Sequence, residues 1–366
     1  MKRVSVKLPC NEYDIIIEHG ILKEENRIGR EIKDIFQGKR VYIITDSNVS
    51  PLYLQRVRDN IETSGYTVFH HIIKAGEESK NFVQLQRIYN FLIENGASRK
   101  DLLVALGGGV IGDMAGFAAA TYMRGIKFLQ IPTTLLAQID SSIGGKVAVN
   151  LMEGKNLIGA FYHPQKVLID PECLYSLSER VFADGAAEAL KYGYISDYRI
   201  YEIFKSLKTL KELYEHLDEI IYQCCAIKRD IVEEDEKELG VRMLLNFGHT
   251  IGHSYESHYQ YKKYTHGEAV AIGMYEICKI CEQKGFTEKG VSEDLKNILL
   301  VLNLPFEDDE KSRAVKEKIV EGIYKDKKSN SEYTSLVLIK EIGKLFVERV
   351  LLEEIKPFFE EGGFLT

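Results

Sequence analysis

The sequence has no tryptophan, and only seven prolines in 366 residues. It also lacks any apolar run approaching the ~18–20 residues that a membrane-crossing helix needs. Its amino terminus, Met1-Lys-Arg-Val-Ser-Val-Lys-Leu-Pro-Cys10, has no continuous apolar stretch of the kind a secretory signal carries. A membrane span is therefore excluded, and a cytoplasmic location is expected. Positive charge is in deficit: 48 Lys and Arg against 55 Asp and Glu give a net charge of -7. That balance argues against a general nucleic-acid binder and against adhesion to an anionic membrane. It leaves room for a local basic pocket. The six cysteines, Cys10, Cys173, Cys224, Cys225, Cys278 and Cys281, are too few for a disulfide framework in a chain this long. Cys278 and Cys281 form a C-x-x-C, but inside the helical run Met274–Glu282 and without a second pair. That setting predicts core packing rather than redox or metal chemistry.

What is present is an ordinary globular composition, 45% hydrophobic and 28% charged, and enough chain for two domains. The first half alternates apolar strand-like runs with amphipathic stretches. Strands are expected at Val41–Thr45, Thr67–Ile73, Asp101–Leu106, Lys127–Ile131 and Lys166–Ile169. Helices are expected from Ser50 to Ser64, from a Ser79 cap through Asn95, and from Met114 to Ala120. Alternating strands and helices imply parallel pairing in an α/β layer. After about Pro171 strand signals nearly vanish and helical periods dominate. The tail is expected to hold one short strand, Ser335–Ile339, and a helix near Glu348–Phe359. The expected division is an α/β domain over 1–175 and a mostly α-helical domain over 176–366.

Three histidines crowd into the stretch Leu244–Glu268. His249 and His253 are at i and i+4, so a helix would place them on one face. His266 opens the next apolar helical run. Imidazoles so arranged suit a divalent transition metal, and the missing Glu after His249 disfavours an H-E-x-x-H protease. Upstream, Gly107, Gly109 and Gly112 satisfy G-x-G-x-x-G between a strand and a helix. A helix amino terminus opening on glycines suits a pyrophosphate. No acid closes the following strand at Ile131-Pro-Thr133-Thr134, however, and the better ribose partner is Asp46. These features predict a dinucleotide site of other than Rossmann topology. Polar groups then recur in Gly- and Ala-rich surroundings: Arg124, Asp140, Lys146, Lys155, Asn156, Glu188 with Lys191 one helical turn on, Lys228, Arg242 and Asn246. Together they predict a pocket for a highly charged anion.

The blocks Gly107-Gly-Gly-Val-Ile-Gly-Asp-Met-Ala-Gly-Phe117, Pro132-Thr-Thr-Leu-Leu-Ala-Gln-Ile-Asp-Ser-Ser-Ile-Gly-Gly-Lys146, Gly154-Lys-Asn-Leu-Ile-Gly-Ala-Phe161 and Leu244-Leu-Asn-Phe-Gly-His-Thr-Ile-Gly-His253 carry a resemblance over nearly the whole chain. The chain resembles the 3-dehydroquinate synthase family of sugar phosphate cyclases. The resemblance implies one divalent metal, zinc or cobalt, held by Glu188, His249 and His266, with His253 handling protons beside it. It implies NAD on Asp46, Gly76, Glu77, Glu78, Ser79, Lys80, Gly109, Val110, Ile111, Gly112, Asp113, Thr133, Thr134, Lys146 and Lys155, with further contacts around Cys173 and Ser176. Substrate would meet Asp140, Lys146, Lys155, Asn156, Lys191, Lys228, Arg242, Asn246, His253 and a lysine at 327–328. The implied substrate is a sugar phosphate, 3-deoxy-D-arabino-heptulosonate 7-phosphate, closed to 3-dehydroquinate by transient oxidation, phosphate elimination, re-reduction and an internal aldol step. Arg124 would reach a neighbouring subunit's phosphate site, which implies a homodimer.

Other sugar phosphate cyclases are the nearest alternative, and they vary the positions matching Asn156, Arg242 and Asn246. A metal-dependent alcohol or glycerol dehydrogenase would need fewer cations. A regulatory module that binds NAD and metal would release no phosphate.

Overall fold

The computed structural model describes residues 1–326 and 332–365. The chain divides into two compact units, one comprising Met1–Leu177 with Ile221–Glu236 and the other Ser178–Ile220 with Lys237–Thr366.

The first unit opens with a hairpin that the sequence reading did not anticipate, β1 (Lys2–Leu8) and β2 (Asn11–Ile17). Next come α1 (Arg27–Ile35), β3 (Arg40–Asp46), α2 (Gln55–Thr63), β4 (Thr67–Ile73), α3 (Phe82–Glu94), β5 (Leu102–Gly107), α4 (Gly109–Thr121) and β6 (Lys127–Pro132). A second unanticipated hairpin, β7 (Lys146–Leu151) and β8 (Gly154–Phe161), precedes β9 (Lys166–Ile169). A seven-stranded sheet runs in the order β1-β2-β9-β6-β5-β3-β4, with every pair parallel except β1–β2.

β5 is apolar along its length and buried at every position, as expected of a strand covered on both faces. Alternate side chains feed two cores. Tyr42, Ile44, Leu103 and Ala105 pack with Leu85 and Ile88 of α3 and with Met114 and Phe117 of α4. Val41, Ile43, Leu102 and Val104 pack with Ile28 and Ile32 of α1 and with Val57 and Ile61 of α2.

Helix ends depart from the sequence expectation where capping chemistry decides. Asn81, not Ser79, caps α3, its side chain accepting from the Gln84 amide at 3.0 Å. Ser79 lies instead in a short 3-10 turn, Glu77–Ser79. The residues Ser50–Leu54 form a π-type turn before α2.

The second unit holds α5 (Glu179–Ile195) and α6 (Tyr198–Ser206). α7 (Leu217–Glu234) follows in the chain, and most of it groups with the first unit. The second unit continues with α8 (His249–His258), α9 (His266–Gln283), α10 (Val291–Val301) and α11 (Arg313–Asp326). The tail differs from expectation. Two strands, β10 (Tyr333–Glu341) and β11 (Lys344–Leu351), form an antiparallel hairpin turning at Gly343, whose φ is +82°. The helix expected from Glu348 begins only at Ile355, as α12 (Ile355–Glu361). Among the described residues, no helix is long and apolar enough to cross a membrane.

Two glycines set the helix packing of this unit. A Cβ on Gly273 of α9 would lie 2.0 Å from the Gly248 carbonyl oxygen, just ahead of α8. A Cβ on Gly267, in the first turn of α9, would lie 2.1 Å from the Asp184 carbonyl oxygen of α5. Only glycine permits either approach, so α5, α8 and α9 meet backbone to backbone.

Candidate active site

The close approach of α5, α8 and α9 brings three side chains together. Glu188 projects from α5, His249 begins α8 and His266 begins α9. Their ligand atoms all lie within 4.8 Å of one another. The Nε2 atoms of His249 and His266 each stand 3.5 Å from Glu188 Oε1. Two donors each ~2.1 Å from a tetrahedrally coordinated ion are roughly 3.4 Å apart, so this spacing fits a shared cation.

The far side of each ring is held. His249 Nδ1 lies 3.1 Å from the Phe247 carbonyl oxygen, and His266 Nδ1 lies 3.4 Å from Glu256 Oε2. Acceptors at Nδ1 orient each ring so that its Nε2 faces Glu188. Glu188 is wholly buried, and its Oε1 accepts no hydrogen bond. Its charge is met at Oε2 by the Lys191 ammonium, 2.5 Å away, which leaves Oε1 facing the imidazoles. A buried carboxylate with an unbonded oxygen beside two oriented imidazoles fits a divalent ion of the zinc or cobalt kind.

Burial, reinforced by the neighbouring Lys191 and His266, holds His249 well below the ordinary histidine range, so it is a neutral donor. His266 behaves oppositely. Burial pulls it down, but the bond to Glu256 and the charges of Glu188, Glu256 and Asp184 outweigh that and raise it to about 9. The first turn of α9 is pinned as well. Glu268 Oε2 accepts from the Thr265 amide at 2.8 Å and Arg180 grips the same carboxylate, while Asp184 Oδ1 accepts from the Gly267 amide at 2.6 Å.

His253 lies one turn beyond His249 and is exposed, its ring centroid 5.3 Å from that of His249 and 5.8 Å from that of His266. It stands beside the three converging groups rather than among them. Arg242 and Asn246 sit on a 3-10 turn, Val241–Asn246, so helical i,i+4 spacing does not describe them. Arg242 is 1% exposed, and Asn246 donates to Glu238 Oε1 at 2.8 Å.

In the first unit, four of the dinucleotide-candidate segments lie at the carboxyl ends of adjacent parallel strands. Asp46 ends β3, Gly76–Lys80 follow β4, Gly109–Asp113 open α4 after β5, and Thr133 and Thr134 follow β6. Thr45 of β3 registers with Leu106 of β5, so Asp46 neighbours the glycine turn. From β3 the chain passes outward to β4, then back across to β5 and onward to β6. The gap between β3 and β5 is thus the switch point at which open parallel sheets bind ligands.

The α4 amino terminus there follows Gly108 and Gly109. Thr133 Oγ1 is buried without a hydrogen-bond partner beside it. Asp46 Oδ1 accepts from the Asn48 and Val49 amides at 2.8 and 3.0 Å, which fixes its side chain. Lys80 pairs with Asp113, and burial pushes the Asp113 carboxyl up against that pull. These residues fit a dinucleotide.

Cys173 and Ser176 lie on the turn Pro171–Ser176 after β9. There Tyr53 donates to Ser176 Oγ at 2.7 Å, and burial pushes the Cys173 thiol up to about 12. Lys228, on the part of α7 that groups with this unit, donates to the Asp140 carbonyl oxygen at 2.7 Å and pairs with its carboxylate. Lys146 begins β7, while Lys155 and Asn156 begin β8. Arg124 is exposed past α4 with a φ of +68°. The lysines expected at 327–328 lie outside the described residues.

Three partners went unremarked in the sequence: Glu256, Glu238 and Asn150. Glu256 had a signal, being an acid one helical turn beyond His253. Glu238 and Asn150 had none beyond their nearness to assigned residues.

The chain matches the family model for the 3-dehydroquinate synthase N-terminal domain over residues 70–184 and that for its C-terminal domain over 185–329. It is 49% identical over 356 residues to a 3-dehydroquinate synthase of Clostridium beijerinckii, covering 96% of this chain and 99% of the relative. It is 42% identical to that of Streptococcus mutans, over 98% of this chain and all of the relative. A crystal structure of 2-deoxy-scyllo-inosose synthase with carbaglucose-6-phosphate, NAD+ and Co2+ superposes with a TM-score of 0.84 at 25% identity, over 97% of this chain and 100% of that one.

Proposed function

The chain belongs to the 3-dehydroquinate synthase family, and on that footing we propose how its residues share the conversion of 3-deoxy-D-arabino-heptulosonate 7-phosphate into 3-dehydroquinate and phosphate. The reaction is that of a phosphate-eliminating lyase in the shikimate pathway to aromatic amino acids, with NAD and a divalent metal as cofactors. When bound, NAD takes and later returns a hydride at a substrate carbinol while the metal polarises the oxygen there.

Glu188, His249 and His266 hold the metal. The convergence of two Nε2 atoms on one buried, unbonded carboxylate oxygen carries this assignment. Asp46, the Gly76–Lys80 turn, the Gly109–Asp113 turn, Thr133, Thr134, Lys146, Lys155 and the Cys173–Ser176 turn hold the dinucleotide. The α/β domain of about residues 1–175 thereby serves the cofactor and part of the substrate, and the helical domain of 176–366 serves the metal and the rest of the substrate.

Lys146, Lys155, Lys191, Lys228 and Arg242 offer cationic donors to a substrate bearing a carboxylate and a phosphate. Asn156 and Asn246 add neutral donors that read its hydroxyls. Asp140 orients the Lys228 ammonium. His253, exposed beside the ligand imidazoles, carries a proton between substrate and solvent. Such preorganised donors typically contribute about 2.7–4 kcal/mol each to a charged transition state. Arg124 completes the phosphate site of a second copy, so the working form is a homodimer, and the enzyme acts in the cytoplasm.

The test is phosphate release from 3-deoxy-D-arabino-heptulosonate 7-phosphate with NAD+, before and after a chelator. Release that chelation abolishes and zinc or cobalt restores is expected. Absence of release with metal and NAD+ supplied would overturn the reading.

A further inference from the structure

We propose that Asn150 is a positioning residue that locks the cofactor turn after β4 to the hairpin carrying Lys155 and Asn156. This rests on the assignment of those segments to cofactor and substrate. The β7–β8 ladder pairs Val149 with Ile158 and Leu151 with Gly154, and its register shifts between Val149 and Leu151. Asn150 is the residue at that irregularity. A bulge frees the backbone from its strand partner and re-aims a side chain.

Both effects are present here. The Asn150 amide donates to the Lys80 carbonyl oxygen at 2.8 Å instead of to β8. Its side-chain amide donates to Glu77 Oε1 at 2.8 Å. Its side-chain oxygen accepts from the Asn156 amide at 2.9 Å. Asn156 has a φ of +57°, a left-handed conformation that asparagine tolerates better than most side chains and that the bond from its amide to Asn150 supports. The circuit closes through Lys80, whose ammonium donates to Asn156 Oδ1 at 2.5 Å and pairs with Asp113 at the start of α4.

One asparagine therefore uses its backbone donor and both ends of its side chain to tie two segments that sheet pairing does not join. Each partner demands a distinct chemistry. Glu77 needs a donor and the Asn156 amide needs an acceptor, and a carboxamide supplies one on each of two separate atoms. Aspartate keeps the acceptor and sets a carboxylate against Glu77. Alanine removes both bonds and spares the repulsion.

The test uses full-length protein and NAD+ binding measured calorimetrically without substrate, alongside phosphate-release kinetics. Asn150→Ala is expected to raise the Kd and KM for NAD+ about tenfold, with kcat at saturating NAD+ changed less. Asn150→Asp is expected to raise them further. Adding Glu77→Gln to Asn150→Asp is expected to recover part of that loss, measured against Glu77→Gln alone, because glutamine can donate to the new carboxylate. The Asn156 amide is expected to exchange hydrogen faster in Asn150→Ala and at the parental rate in Asn150→Asp. The proposal is overturned if both single variants bind NAD+ within twofold of the parent, or if the Asn150→Asp and Glu77→Gln losses simply multiply. Failure of the parent protein to bind NAD+ would instead overturn the functional reading.

Discussion

Lys191 and Glu188 form an ion pair at 2.5 Å one turn apart on α5, with exposures of only 1% and 0%. A buried pair is costly to break from one side, because the remaining charge stays desolvated. Glu188 gives one oxygen to Lys191 and turns the other to the two imidazoles. The ammonium thus aims the carboxylate at the imidazoles.

Glu188→Gln keeps the shape and removes the charge. Metal content by atomic emission is expected to fall at least tenfold, with phosphate release lost and far-ultraviolet circular dichroism unchanged. His266→Ala is expected to behave likewise. Full turnover by either variant stripped of metal would refute their assignment as ligands.

Glu256, 3% exposed, orients His266 through Nδ1. Loss of such a partner typically weakens metal binding about 10–100-fold. Glu256→Ala is expected to show that loss in a zinc competition titration, and Glu256→Gln, which still offers an oxygen, a smaller one. Equal affinities in all three proteins would show that Glu256 does not set the ring.

Gly273→Ala tests the packing beneath the site. Its Cβ would meet the Gly248 carbonyl oxygen at 2.0 Å, which forces α8 and α9 apart. A loss of about 1–3 kcal/mol in urea unfolding is expected, together with weaker metal binding. An unaltered denaturation midpoint would mean that the helices yield without cost.

Acid stability should report Asp308. Burial alone would raise its carboxyl, but bonds from Lys263, Tyr259 and Tyr264 outweigh that and hold it below the ordinary value of 3.8. A depressed carboxylate stabilises the fold above its unfolded value, and that contribution is lost as pH falls through the folded value. The parent should therefore lose stability below about pH 4 more steeply than Asp308→Asn, which is weaker at neutral pH. Parallel pH profiles for the two would count against this role.

The cofactor cycle gives a kinetic signature. Because the hydride taken is returned, steady turnover should show no net rise in NADH absorbance. A rise in step with product would point to a polyol dehydrogenase instead.

The sheet core was readable because β5 is an unbroken apolar run and β3, β6 and β9 are mostly apolar, a pattern that burial on both faces favours. The β1–β2 hairpin was not, although Lys2–Leu8 alternates polar residues with valine and leucine, the pattern of a half-buried edge strand. The β7–β8 hairpin hid among glycines and lysines that suggested a pocket, and its outer strand is largely exposed. The tail misled because Glu348–Leu351 has helical composition, yet pairs with Tyr333–Leu336 across a distant turn. The histidines were conspicuous by crowding. Glu188 was not, since nothing local ties it to residues some sixty positions on; only the family resemblance did so. Glu256 and Asn150 act through other residues, a role that spacing alone does not express.

The three proposed ligand side chains are seated on helices that touch through bare backbone at Gly267 and Gly273. Their mutual placement is therefore settled when the polypeptide folds, before any ion arrives. Walls set by close backbone contact would let such a cage be emptied and refilled without refolding.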